Sequence, residues 1–298
     1  MEPLVSGTLT VLSGACSEVA VGGSGPTVLI GERISPSGRP ALAEALLRED
    51  LDPIREEARV QVAAGAAVLD VNVAAPGVDE VRLLPMAVRA IQEERDVPLC
   101  LDSSRPEALA ATLAVTRGRP LVSSVRADEE DLRRMMPLVA AYGTSVIGLT
   151  MTTDGIPQTA RGRLGLAERI VAAAEAHGIS RDRIVIDCLA LAVGAERESA
   201  LVTLEACRLV RSELGVNLVL GVSNVSYGLP ARSVLNAAFC TLAIQAGVGS
   251  LIVDVARVRP AVLATDLLLA RDEWAGRYVG AYKRGLFDIF SQQGGARG

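Results

Sequence analysis

Short apolar runs in this 298-residue chain carry polar side chains at their C-terminal ends, where the interior of a strand ordinarily avoids them. Glu32 and Arg33 stand in LIGERI, Asp70 and Asn72 in LDVNV, and Asp102 and Ser103 in LCLDSS. Ser123 and Ser124 follow in LVSSV, Thr150 in IGLT, Asp187 in VIDCL, and Ser223 and Asn224 in GVSNVS. Carboxylates accept hydrogen bonds, while amides and hydroxyls both donate and accept. Gathered in one ring, these groups suit a flat, nitrogen-rich heterocycle whose N–H groups need acceptors. Strand alternation puts Asp70 with Asn72, Cys100 with Asp102, and Val222 with Asn224 on shared faces. The pattern alone leaves a second reading open, in which the same side chains satisfy loop backbone at the strand ends.

The residues that are absent narrow the chemistry. The only histidine, His177 in AEAHGIS, reads as a helix C-terminal residue, which excludes a histidine triad and a histidine-rich metal site. The only lysine, Lys283, stands in the C-terminal tail, so Schiff-base aldolase chemistry is excluded. No Walker or GxGxxG motif follows a strand, and GGSG at 22–25 reads as a turn. The cysteines (Cys16, Cys100, Cys188, Cys207 and Cys240) form no CxxC pair. Three of them lie in hydrophobic segments and read as small core residues in a reducing cytosol, against a disulfide framework or zinc site. A net charge of −5 with scattered basic residues argues against a nucleic-acid partner or a polybasic membrane patch. No apolar run is long enough to cross a bilayer and no signal-peptide pattern opens the chain, so a cytoplasmic protein is expected.

These polar ends need a frame that brings them together. Strand patterns at 28–33, 67–73, 98–103, 120–125, 145–150, 184–191, 217–224 and 250–256 alternate with helical patterns at 41–63, 79–94, 106–116, 130–141, 164–177, 196–214, 231–246 and 260–271. Gly65, Gly143, Gly178 and Gly247 read as helix stops. Eight strand–helix units predict an α/β fold, a single (β/α)8 TIM barrel whose site lies at the C-terminal ends of its strands. Only 3% of residues are aromatic, so Val, Leu, Ile and Ala must fill the core, as the layered interior of a parallel barrel requires. Alternation over 8–23 predicts a small hairpin covering the barrel floor. The expected organisation is an N-terminal extension at 1–26, a barrel at 27–275, and a C-terminal helix and tail at 276–298 that frays at GGARG.

GERISPSGR at 31–39, LDVNVAAPGVDEV at 69–81, PLCLDSS at 98–104, IGLTMTTDGIP at 147–157, VIDCLAL at 185–191 and GVSNVSYGLPARSVLN at 221–236 carry a resemblance. From about residue 30 to 254, in order and spacing, the chain resembles the pterin-binding methyltetrahydrofolate:corrinoid methyltransferases. These are close in fold to the folate module of cobalamin-dependent methionine synthase. The SEVAVGG lead-in before the first strand is also similar. The resemblance implies tetrahydrofolate or 5-methyltetrahydrofolate as substrate and a cobalamin cofactor, with a methyl group moved between folate N5 and cobalt. It implies that Asp102 and Asp187 hydrogen-bond the pterin ring, that Asn72 and Ser123 belong to the same pocket, and that Asn224 reaches N5. Gly221 and Ser223 would line the same loop, and Arg232 would stand near an anionic group of the folate. LVSS departs from the family's LINS, so Ser123 replaces an asparagine and shortens that contact.

The TPDSFSDGG-like loop and later lysine of dihydropteroate synthase are absent, as is the homocysteine module of methionine synthase. Without a DxHxxG motif, the corrinoid is expected on a separate protein docking over the barrel mouth, with 152–157 as a contact. A homodimer is implied by the resemblance alone. Two alternatives stand beside this: another pterin-dependent barrel enzyme that uses no corrinoid, and a folate-binding protein without catalysis.

Overall fold

The computed structural model describes residues 8–287, and the GGARG tail lies outside the described residues. An antiparallel hairpin of β1 (Leu9–Ser13) and β2 (Glu18–Gly22) comes first. Eight strands follow: β3 (Val28–Ile34), β4 (Val68–Val71), β5 (Leu99–Asp102), β6 (Leu121–Arg126), β7 (Ser145–Leu149), β8 (Ile184–Asp187), β9 (Asn217–Gly221) and β10 (Ser250–Val253). They are parallel and close in chain order, with β10 pairing back onto β3. The helices are α1 (Pro40–Leu47), α2 (Asp52–Ala64), α3 (Glu80–Glu94), α4 (Pro106–Leu113), α5 (Glu129–Tyr142), α6 (Ala160–Ala176), α7 (Ser199–Leu214), α8 (Arg232–Gln245), α9 (Val255–Leu268) and α10 (Gly276–Lys283). This is the TIM barrel, hairpin and C-terminal helix that the sequence pattern predicts.

Each barrel strand is buried on both faces, which is why its sequence reads as an apolar run rather than an alternation. One set of alternate residues, including Val28, Ile30, Val68, Cys100, Leu121, Ile147, Val185 and Val219, packs together as the barrel interior. The other set, including Leu29, Leu69, Leu99, Leu101, Val122, Ile186 and Leu218, packs against the helices. Leu12 of β1 and Val21 of β2 join the interior cluster, so the hairpin plugs the floor. Asn217, at the first residue of β9, donates its amide to Thr10 Oγ1 at 2.8 Å and ties the plug to the barrel.

Several boundaries differ from the sequence pattern, four of them with a change in the course of the chain. The expected helix at 41–63 is two helices, because Pro53 can sit only in the first turn of α2 and Glu49 turns to φ +56° between them. The strand expected at 217–224 stops at Gly221, and Val222–Ser226 winds into a 3-10 helix. The strand at 184–191 stops at Asp187, where the chain turns through Leu189 at φ +61°. Helix α9 begins five residues before Pro260 rather than at it. Gly65 and Gly143 end α2 and α5 in the left-handed conformation that favours glycine, at φ +104° and +62°.

Leu12 is fully buried beneath the barrel. Leu12→Ala is expected to cost about 2–5 kcal/mol through lost transfer energy and the cavity left behind. Urea denaturation checks this, and a midpoint equal to the parent's would show that the hairpin is not part of the core.

Candidate active site

The interior set of side chains turns polar at the C-terminal ends of the strands. Counting up alternate positions from Ile30, Val68, Cys100, Leu121, Val185 and Val219 gives Glu32, Asp70 and Asn72, Asp102, Ser123, Asp187 and Gly221. Strand register sets Asp102 beside Ser123 and Asp187 beside Leu149 and Val219. Arg33, one residue out of phase, points away and pairs with Glu57 at 3.1 Å and Asp254 at 3.4 Å.

Asn72 follows β4 directly and donates its amide to Asp102 Oδ2 at 2.8 Å, while its own Oδ1 accepts the Ala74 N–H at 2.8 Å. Both ends of the amide are thereby oriented, and the Asp102 carboxylate is held in place. Burial raises the Asp102 pKa, the Asn72 bond opposes that rise, and Glu80 adds to it. Asp187 ends β8 with both oxygens aimed by backbone, Oδ1 accepting from Leu189 N at 2.7 Å and Oδ2 from Gly221 N at 3.3 Å. Burial pushes its pKa up to about 6, against those two N–H groups and the Arg163 cation.

Two carboxylates that the sequence reading placed among the polar strand ends, but did not single out, complete the site. Asp70 lies below Asn72 on the same face, and its Oδ1 has no hydrogen-bond partner. Burial first, then Asp102 and Glu32, raise its pKa well above the ordinary range and favour the neutral acid. Glu32 accepts from Ser223 Oγ at 2.6 Å, and burial raises its pKa, with that bond opposing and Asp254 adding to the rise. The one signal for both was a carboxylate inside an apolar run. Asp254 carries the same signal at the end of β10.

The turn after β9 corrects the strand-parity argument. Because Val222–Ser226 is 3-10 helical, Val222 is buried while Asn224 is exposed, so the two do not share a face. Arg232, at the start of α8, is exposed and donates to Ser223 O at 2.7 Å and Ser226 Oγ at 3.1 Å. It therefore staples the turn that carries Asn224. A cavity of about 450 Å³ opens beside Asp102, with Ser103, Ser124, Arg126, Met135 and Leu149 in its wall. A second of about 350 Å³ is lined by Glu32, Ser223, Arg232, Asn236, Asp254 and Arg257. Thr150 serves the framework, donating to the Asp187 carbonyl at 3.2 Å, and Ser103, in the cavity wall, also ties β5 to α3 by donating to Glu80 at 2.7 Å.

The model of the pterin binding enzymes matches residues 40–254. The chain belongs to the pterin-binding enzyme family. Among these enzymes, the methylcorrinoid:tetrahydrofolate methyltransferase of Eubacterium limosum is 30% identical over 265 residues, covering 87% of this chain and 97% of that protein. The methionine synthase of Mycobacterium tuberculosis is 32% identical over 246 residues, but the chain spans only 21% of its length. The dihydropteroate synthase of Yersinia pestis superposes with a TM-score of 0.67 over 87% of this chain and 99% of that one, at 16% identity, which is a likeness of fold.

The residues at the mouth fit a pterin, and no imidazole stands among them to ligate a corrinoid cobalt. Acceptors face the barrel mouth, whereas His177, the chain's one imidazole, is exposed at the C-terminus of α6 with Nδ1 at 2.8 Å from Ala173 O. That is the helix-end role read from the sequence. Four cysteines are buried and free; Cys16 is exposed. Among the described residues, no group of three or more His, Cys, Asp or Glu is placed to hold a metal, and no helix is long and apolar enough to cross a membrane.

The raised pKa of Asp187 has a stability consequence with a definite sign. The native state holds this proton more tightly than the unfolded chain does. The group's contribution is therefore most favourable below about pH 4, falls as pH rises to about 6, and stays low above that. Asp187→Asn removes the ionisation but leaves one of the two backbone N–H groups without its acceptor, so the expected signature lies in the pH dependence: between about pH 4 and pH 7 the parent should lose about 1–3 kcal/mol of stability relative to the variant. Urea melts of both proteins across pH check this; a stability difference that does not change between about pH 4 and pH 7 contradicts the burial of a carboxylate here.

Proposed function

We propose that the protein transfers a methyl group between N5 of tetrahydrofolate and a corrinoid carried by a separate protein. The observation that carries this reading is the pair of pre-aimed carboxylates at the mouth, Asp102 fixed by Asn72 and Asp187 by two backbone N–H groups. The near full-length similarity to the Eubacterium limosum methyltransferase supports the choice of reaction within the family. In this reading Asp102 and Asp187 accept from pterin N–H groups, and Asn72 and Ser123 complete the wall. Gly221 and Ser223 line the turn, and Arg232 faces an anionic group of the folate.

Transfer to or from N5 is slow without help because the nitrogen leaves, or attacks, with its charge changing. The corrinoid supplies the cobalt that gives or takes the methyl group. The chain's task is to hold the pterin and to stabilise charge at N5 with groups already in position. A side-chain amide suits N5, since it accepts from a protonated nitrogen and donates to a free lone pair. Asn224, on the stapled turn, has that role. Ser223 anchors one side of the turn to Glu32, so the amide is presented from a fixed backbone.

A homodimer and a cytoplasmic location belong to the same proposal. The exposed Leu201 of α7 with Val234 and Leu242 of α8 supports the first, and the four buried free cysteines support the second.

Purified protein mixed anaerobically with tetrahydrofolate and methylcob(III)alamin is expected to yield cob(I)alamin and methyltetrahydrofolate in step, read from the cobalt spectrum. Absence of folate binding would sink the proposal. Asn224→Ala is expected to lower kcat by about 10²-fold while folate affinity changes far less; equal losses in both would remove Asn224 from the chemistry.

A further inference from the structure

Arg163 stands in the first turn of α6 and is fully buried. Among the described residues no carboxylate pairs with it; every one of its bonds goes to a neutral acceptor. Nε donates to Pro157 O at 3.0 Å, and Nη1 is shared among Cys188 O and Leu189 O at 2.8 Å and Thr203 Oγ1 at 2.9 Å. A buried guanidinium without a directly paired carboxylate is costly, so such an arrangement persists where the surrounding structure needs it.

What it holds is the turn directly after Asp187. Leu189 adopts φ +61°, a conformation that a bulky residue keeps only when its neighbours impose it. Its carbonyl goes to Arg163, and its N–H is the group that aims Asp187 Oδ1 at 2.7 Å. Thr203 Oγ1, on α7, also lies 3.0 Å from the Leu189 carbonyl and braces it from a second side. Through Pro157 the same guanidinium reaches the loop between β7 and α6, so two neighbouring loops of the barrel mouth share one buried cation.

We propose that Arg163 is a positioning residue of the pterin pocket: by holding the Cys188–Leu189 backbone it aims Asp187 and links that carboxylate to the mouth loop ending at Pro157. The proposal rests on the reading of Asp187 as a pterin-binding carboxylate. The cation also favours the ionised form of Asp187, against the burial that pushes its pKa up to about 6. The titratable or charged groups facing this corner are Arg163 on α6, Cys207 on α7, Cys188 beside Asp187, and Glu196 in the following loop. Removing the guanidinium leaves Asp187 protonated to higher pH.

The test compares the parent, Arg163→Met and Arg163→Lys, measuring tetrahydrofolate binding by anaerobic calorimetry across about pH 5 to 8.5, with a thermal midpoint for each. Parent binding is expected to fall away below about pH 6. Arg163→Met should bind about tenfold more weakly at pH 7, with its acid limb displaced upward by about one unit. Arg163→Lys keeps the charge, so its limb should stay near the parent's while affinity drops, since an ammonium cannot span the same carbonyls. A lower thermal midpoint with an unmoved acid limb in Arg163→Met would reduce Arg163 to a scaffold residue and overturn the proposal. If that variant fails to fold, Thr203→Val loosens the same turn and should move the limb in the same direction by less; an unmoved limb there overturns it equally. A parent that binds no tetrahydrofolate at any pH would instead remove the pterin reading of Asp187 itself.

Discussion

Closing eight parallel strands on themselves sends alternate side chains of each into one shared interior, which is too narrow for water and must be packed with apolar groups. Val28, Val68, Cys100, Leu121, Val185 and Val219 fill it, and Leu12 and Val21 of the hairpin seal it from below. The same geometry forces the next inward positions, one pleat higher, to emerge together at the mouth. Glu32, Asp70, Asn72, Asp102, Ser123 and Asp187 meet there because of strand parity and register, although they come from five strands spread over 156 positions of sequence. A shift of register would scatter them.

Desolvation is the largest influence on every carboxylate of this group, raising Glu32, Asp70, Asp102 and Asp187 alike. The barrel answers with oriented dipoles more than with cations. Asn72 holds Asp102, the Leu189 and Gly221 N–H groups hold Asp187, and Ser223 holds Glu32. Dipoles fixed by backbone and amide keep the acceptors aimed before a ligand arrives, at some expense in stability to the empty protein. That trade is expected of a binding site and is hard to justify for loops alone, which favours the ligand reading of the polar strand ends over the framework one. Ser103 and Thr150 show that the framework role is also present, at positions off the central ring.

Much of this was legible in the chain itself. The strand–helix count, the glycine stops at Gly65 and Gly143, and the floor hairpin follow from local pattern, because burial on two faces, left-handed caps and alternation each leave a mark within a few residues. Asp102, Asp187 and Asn72 stood out as polar groups in apolar runs. Asp70 and Glu32 carried the same mark yet needed the barrel to show that they belong to the same cluster. Asn224 was found through motif resemblance, while the reasoning from strand parity failed there because the strand had already ended at Gly221.

The sequence by itself determined the alternation of strand and helix, the order of the units and the polar marks at the strand ends, since periodicity and side-chain polarity are local quantities. Only the tertiary structure decided which polar ends touch, how far burial raises each carboxylate, and that Arg163 braces the turn aiming Asp187. Arg163 lies in an unremarkable RGR stretch, and nothing nearby in the chain marks it. Its acceptors stand 6, 25, 26 and 40 positions away, and contacts at such separations exist only once the barrel has closed.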